Sequence, residues 1–178
     1  MAAPEELSDG STRLRRFTVD DAPVVAAAVR ESMDHLAAWM PWADDKSATV
    51  AFQRQRLEDS VKGYGDDRGS WEYAICDRDG NVLGSCGLVV RDDGRLEIGY
   101  WVHVDHAGRG HATRAARMLS EAWRAHRSEP RVEIRCDEAN TTSAAIPARL
   151  GFRYEGVVEG PREAQHETGR TMVWVLER

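Results

Sequence analysis

The sequence predicts a mixed α/β domain, with a mostly antiparallel central sheet of about seven strands flanked by about four helices. Two observations carry this reading. The middle of the chain holds three strand-period runs, Trp71–Cys76, Val82–Val90 and Leu96–Val104. They are joined by the hairpin signals Asp79-Gly80-Asn81 and Asp92-Asp93-Gly94. The last third then alternates: a helix from Gly108 to His126, a strand Val132–Asp137, a helix Thr141–Leu150, and strands Phe152–Val158 and Thr171–Leu176. Hairpins followed by strand–helix–strand give a mixed sheet.

The first third supplies the remaining elements. Met1–Gly10 is polar and contains Pro, Glu and Asp, which predicts a loose tail and leaves 11–178 as a single domain. Thr12–Thr18 alternates Leu14 and Phe17 with arginines and reads as a strand. Asp20 or Asp21 caps a helix with Pro23 in its first turn, running through Val24, Val25 and Val29 towards Met33 and Leu36. Trp39-Met40-Pro41-Trp42 breaks it. A second amphipathic helix covers Ser47–Val61 and ends in a loop at Gly63–Asp67.

At 178 residues the chain has room for one domain. Its 42% hydrophobic and 30% charged composition excludes collagen-like, disordered and disulfide-scaffold classes. No apolar run approaches the ~18 residues of a membrane span, and Met1–Gly10 lacks the basic start and apolar stretch of a secretory leader. The expectation is a cytoplasmic protein with no membrane partner. The net charge of −6 argues against a nucleic-acid partner and suits either plain solubility or a cationic one. Arginine and alanine dominate, with Lys46 and Lys62 the only lysines, which suggests a bacterial source. Cys76, Cys86 and Cys136 are far apart and strand-borne, reading as buried filler. His103, His106 and His111 with Asp105 lack a zinc-type spacing, so no metal is expected.

The sharpest feature is Gly108-Arg109-Gly110-His111-Ala112-Thr113, where a strand gives way to a helix. Glycines there let backbone approach a ligand, and the free N–H groups of the first helical turn form an anion cradle. A glycine turn with close packing at Ala112 remains the plain structural alternative. A dinucleotide fingerprint would need Gly at Thr113, and a Walker loop would need Gly-Lys-Ser/Thr, so both nucleotide readings fail.

Gly108–Thr113, preceded by Glu97-Ile98-Gly99-Tyr100-Trp101-Val102-His103-Val104-Asp105, resembles the acetyl-CoA signature of the Gcn5-related N-acetyltransferases, RimJ/RimL-type branch. Asn140-Thr141-Thr142-Ser143, Leu150-Gly151-Phe152 and Trp39-Met40-Pro41-Trp42 are similar to further elements of that branch. One position departs: Asp105, or Ala107 in the other frame, stands where the family has Arg or Gln.

The resemblance implies the acyl-CoA N-acyltransferase fold and acetyl-CoA as co-substrate. It implies cofactor contacts from Trp101, Val102, His103, Val104, Gly108–Thr113, Asn140 and Ser143. Arg109, His111 and Ala112 fall within that loop, and Arg114 or Arg117 would meet a cofactor phosphate. Ser143 would hydrogen-bond the leaving sulfur, and Pro147 excludes a tyrosine acid at the position other branches use.

Glu97 reads either as a base that deprotonates the attacking amine, directly or through water, or as a strand carboxylate paired with Arg95 or another arginine. Trp39, Trp42 and Trp71 read as acceptor-pocket walls or as ordinary packing. The implied activity is acetyl transfer to a primary amine, with a protein or peptide N-terminus favoured and a small-molecule or antibiotic amine as the alternative. A non-catalytic acyl-CoA-binding domain is the reading from another class. The resemblance also raises a homodimer as an expectation.

Overall fold

The computed structural model describes residues 3–63 and 69–178. Among them, eight strands form one sheet: β1 (Glu6–Ser8), β2 (Arg13–Arg16), β3 (Trp71–Cys76), β4 (Val82–Val90), β5 (Leu96–Val102), β6 (Arg131–Asp137), β7 (Arg153–Glu159) and β8 (Arg170–Glu177). Their spatial order is β1-β2-β3-β4-β5-β6-β8-β7. Every neighbouring pair is antiparallel except β5–β6, which is parallel. Five α-helices accompany it: α1 (Ala22–Glu31), α2 (Met33–Ala37), α3 (Val50–Gly63), α4 (His111–His126) and α5 (Thr141–Arg149).

Two hydrophobic clusters lie on the two faces of the sheet. Ala115, Leu119 and Trp123 of α4 pack with Tyr73, Ile75, Leu88 and Ile98. Val25 and Val29 of α1 and Leu57 of α3 pack with Phe17, Ala74 and Cys76. Alternation along β3 therefore sends Tyr73 and Ile75 to one side and Ala74 and Cys76 to the other, as a period of two requires.

Four expectations change. The expected tail contains β1, whose Leu7 pairs with Leu14; three residues of mixed polarity carry too little pattern to announce a strand. The first helix divides at Ser32, which is buried and accepts the Val104 N–H on its hydroxyl at 3.0 Å. The second helix starts at Val50, because Asp44 and Ser47 exchange backbone-to-side-chain bonds in a turn ahead of it. Helix α4 begins only at His111, since Gly108 and Gly110 have left-handed φ values of 74° and 83°. The loop expected over 63–67 falls, beyond Gly63, outside the described residues.

Buried carboxylates tie the sheet together. Glu133 on β6 is bonded by Arg131 at 2.6 Å and Arg135 at 2.8 Å. Asp21 takes a forked contact from Arg15 at 2.7 and 2.8 Å. Burial alone would raise both pKa values, yet these hydrogen bonds outweigh it and hold them below the ordinary 4.5 and 3.8. A carboxyl that is more acidic when folded contributes stability above its unfolded pKa and loses it as pH falls through the folded one. Thermal melts are therefore expected to show a plateau above about pH 5 and a progressive fall below about 4.5. An unchanged Tm down to pH 3 would contradict this.

Candidate active site

Strands β5 and β6 are in register at a single pair, Glu97 with Glu133, and diverge beyond it. The divergence opens the sheet where β5 carries Tyr100, Trp101 and Val102. His103 donates its N–H to the Leu83 carbonyl at 2.7 Å. Residues two apart in an antiparallel strand bond the same neighbour, so the N–H and C=O groups of Tyr100 and Val102 point the other way, into the gap. A parallel partner would satisfy them; among the described residues β6 pairs with β5 only at Glu97.

Two cavities meet at this gap. One, of about 350 Å³, lies under Gly108, Gly110, His111, Ala112 and Thr113 and is closed on the far side by α5. The other, of about 660 Å³, lies against α1, α3 and the aromatic segment before α3. Trp39, Met40, Tyr100, Trp101, Asn140 and Ser143 line both.

The smaller cavity has the chemistry of an anion site. Its wall includes the first turn of α4, whose N–H groups have no carbonyl one turn earlier to bond. A Cβ at Gly108 would point into open space, so that glycine is needed for its φ of 74°, which shapes the loop. His111 is held by a 3.0 Å contact between Nδ1 and the Thr12 hydroxyl. Burial, with Arg114 nearby, lowers its pKa and keeps it neutral at physiological pH. Arg114 folds back to donate to the Arg109 carbonyl at 3.2 Å and lies 3.5 Å from Asp9. Such a cradle has the donors to hold a phosphate group of an elongated polyanion.

Ser143 stands at the junction. Asn140 caps α5 by accepting the Ser143 N–H at 3.1 Å. Pro147 has no N–H, so the Ser143 carbonyl has no helical partner at that position. Tyr100 takes its place, with its hydroxyl 3.3 Å from that carbonyl and 3.2 Å from Ser143 Oγ. Burial pushes the Tyr100 pKa up, so it remains a neutral donor. Cys136 also contacts Ser143; burial raises its pKa to about 11, so it too remains protonated.

The larger cavity is walled by Trp39, Trp42 and Trp71. Trp42 is 41% exposed and leans on Trp101 with ring centroids 6.1 Å apart, whereas Trp71 is also part of the core. Glu97, Gly99 and Trp101 share a β5 face, and Glu97 reaches this cavity. Its carboxylate is engaged by Arg91 at 2.6 and 3.0 Å rather than by Arg95. Glu163, from the segment between β7 and β8, completes the wall.

That segment is fastened at two points. His166 donates its N–H to the Ala38 carbonyl at 2.9 Å and sets its ring edge-on to Trp39. The buried Asp137 carboxylate accepts N–H bonds from Thr168 at 2.9 Å and Gly169 at 3.1 Å. Gly169 has a φ of 82°, and a Cβ there would sit 2.7 Å from the Gly160 carbonyl oxygen, so the turn needs glycine.

Three of the residues expected to meet the cofactor lie outside the linings of both cavities. The His103 N–H is spent on Leu83, and its ring bonds Glu31 at 2.9 Å. The Val104 N–H is spent on Ser32. Arg109 lies outside both linings, its carbonyl taken by Arg114. Trp101, Val102, Gly108, Gly110–Thr113, Asn140 and Ser143 all line the smaller cavity. The linings add Tyr100, Arg149 and Glu163, which the sequence does not single out. Only Tyr100 carried a signal, the carbonyl that Pro147 leaves free. No group of three or more His, Cys, Asp or Glu among the described residues is placed to hold a metal. No helix among them is long and apolar enough to cross a membrane.

Residues 12–153 match the family model described as acetyltransferase (GNAT) domain. The chain is 28% identical over 145 residues to "Putative ribosomal N-acetyltransferase YdaF" of Bacillus subtilis (strain 168), covering 80% of this chain and 78% of that one. Among solved structures it is similar to Mycobacterium smegmatis RimJ in complex with CoA-disulfide, with TM-score 0.85, 21% identity and 98% and 88% coverage. It is also similar to the ribosomal-protein-S5-alanine acetyltransferase of Vibrio fischeri, with TM-score 0.85, 19% identity and 97% and 96% coverage.

Proposed function

This chain belongs to the acetyltransferase (GNAT) family, and we propose that it transfers the acetyl group of acetyl-CoA to the α-amine of a protein or peptide N-terminus. The observation that carries this reading is the gap between β5 and β6. It joins a glycine-loop anion cradle to an aromatic pocket, with Tyr100 and Ser143 at the junction. The acceptor class is supported by the names of two relatives, "Putative ribosomal N-acetyltransferase YdaF" and the ribosomal-protein-S5-alanine acetyltransferase of Vibrio fischeri. A cytoplasmic setting belongs to the same reading.

The gap-facing backbone of Tyr100 and Val102 would hold the pantetheine arm, and one of these N–H groups would stabilise the oxyanion. The neutral amine attacks the thioester carbonyl carbon, the new C–N bond forms, the C–S bond breaks to release thiolate, and the nitrogen sheds its second proton to water at the cavity's open edge. An ammonium has no lone pair, so its proton must leave first. Glu97 is already forked to Arg91, whereas the Glu163 side chain has no partner among the described residues. We therefore assign the proton to Glu163, directly or through water, and give Glu97 the task of holding Arg91 neutralised beside the amine. Ser143 donates to the departing sulfur. A thiol's pKa of about 8.5 means a hydrogen bond suffices without full proton transfer.

The test is mass spectrometry of products after incubation with acetyl-CoA and a mixed panel of peptides, polyamines and aminoglycosides. Acetylated peptide N-termini are expected. Coenzyme A binding without turnover would establish the non-catalytic domain instead.

A further inference from the structure

Resting on that reading, we infer that the acceptor cavity selects a singly charged amine attached to an apolar or aromatic body and excludes polycations. For a protein substrate, this is an N-terminus whose following side chain is apolar.

The charges of the wall decide the first half. Arg56 pairs with Glu72, Arg91 with Glu97, and Arg135 with Glu133. Asp137 is saturated by the backbone of Ala139, Thr168 and Gly169. Glu163 alone presents a carboxylate with no cation or N–H on its oxygens among the described residues. One ammonium therefore finds a partner. A second would have to strip an arginine from a carboxylate or remain desolvated and unpaired, and both are costly. The chain's acidic surplus does not change this, because what matters is the charge left unmatched inside the cavity.

The walls decide the second half. Trp39, Trp42, Trp101 and Phe52 surround the space, and their faces favour both a cation and the burial of an apolar side chain. A volume of about 660 Å³ is more than an alkylamine fills and lies within the roughly 300–1,000 Å³ span of sites that enclose a drug-sized ligand. Trp42, half exposed and leaning on Trp101, forms the rim that a second residue would cover.

The experiment measures kcat/KM on the full chain with peptides identical except for Leu, Trp, Gly or Lys at the second position, beside spermidine and kanamycin. Leu and Trp peptides are expected to exceed the Lys peptide by about tenfold or more, the scale of one apolar side chain in a fitted pocket. Trp42→Ala should shrink the Leu-to-Gly ratio, and Trp42→Phe should restore part of it. Spermidine or kanamycin acetylated as well as the Leu peptide would overturn the inference and leave the acetyltransferase reading intact. A Trp42→Ala protein with an unchanged ratio would overturn the role of the rim. No turnover with any amine would overturn the underlying reading and this inference with it.

Discussion

Glu163→Gln is expected to lower kcat/KM for a peptide acceptor by about 10²-fold, the low end for a positioned base because this carboxylate is at the cavity's exposed edge. The remaining rate should then rise with pH up to about 8, where the α-amine itself becomes neutral and needs no acceptor. Glu97→Gln should behave differently. It removes the partner of Arg91 and leaves an unpaired guanidinium in the wall of a cavity that must admit a cation. The expected signature is a raised acceptor KM with a smaller change in kcat. Should Glu97→Gln instead abolish kcat and its pH dependence while Glu163→Gln does little, the base is Glu97, held in place by Arg91.

The contrast between these two carboxylates shows what the sequence made legible. Glu97 was visible because it lies in a strand with a readable period, and alternation placed it correctly with Gly99 and Trp101. Its neutralisation was only half visible. The Asp92-Asp93-Gly94 turn sets the β4–β5 register that brings Arg91 to Glu97, but Arg95 turns instead to Asp93 and Glu133, a choice that depends on the neighbouring strand. Glu163 was invisible because its segment has no periodicity. Contacts to Asp137 and Ala38, distant in the chain, give it a position.

The same division holds across the fold. The hairpin turns were legible because Gly80 and Gly94 take φ values of 90° and 81°, which their Asp-rich contexts favour. The glycine loop and Asn140 cap were legible because short-range backbone chemistry dictates them. The partners of the His103 and Val104 N–H groups were not legible, because a strand's end tells nothing of which neighbour claims them. Here α1 reaches across with Ser32 and Glu31.

Ser143→Ala is expected to reduce kcat by about 10- to 100-fold, less than the 10²–10³ lost with an oxyanion-hole donor, because thiolate is a better leaving group than alkoxide. Tyr100→Phe should cost a similar or smaller factor, for a reason that begins at Pro147. The missing N–H there frees the Ser143 carbonyl, and the Tyr100 hydroxyl shares its one proton between that carbonyl at 3.3 Å and Ser143 Oγ at 3.2 Å, which orients the serine and leaves its own proton for the sulfur. If Tyr100 acts through Ser143, the double variant will be no slower than Ser143→Ala alone, since residues acting as a unit are non-additive. Multiplying effects would instead give Tyr100 its own contact with the reacting atoms. Pro147→Ala supplies the second check. It returns an N–H to compete for the Ser143 carbonyl, and it should lower kcat in the wild-type background but not when Tyr100 is already phenylalanine. A loss that persists in the Tyr100→Phe background would mean that Pro147 acts on helix α5 as a whole rather than on this hydroxyl.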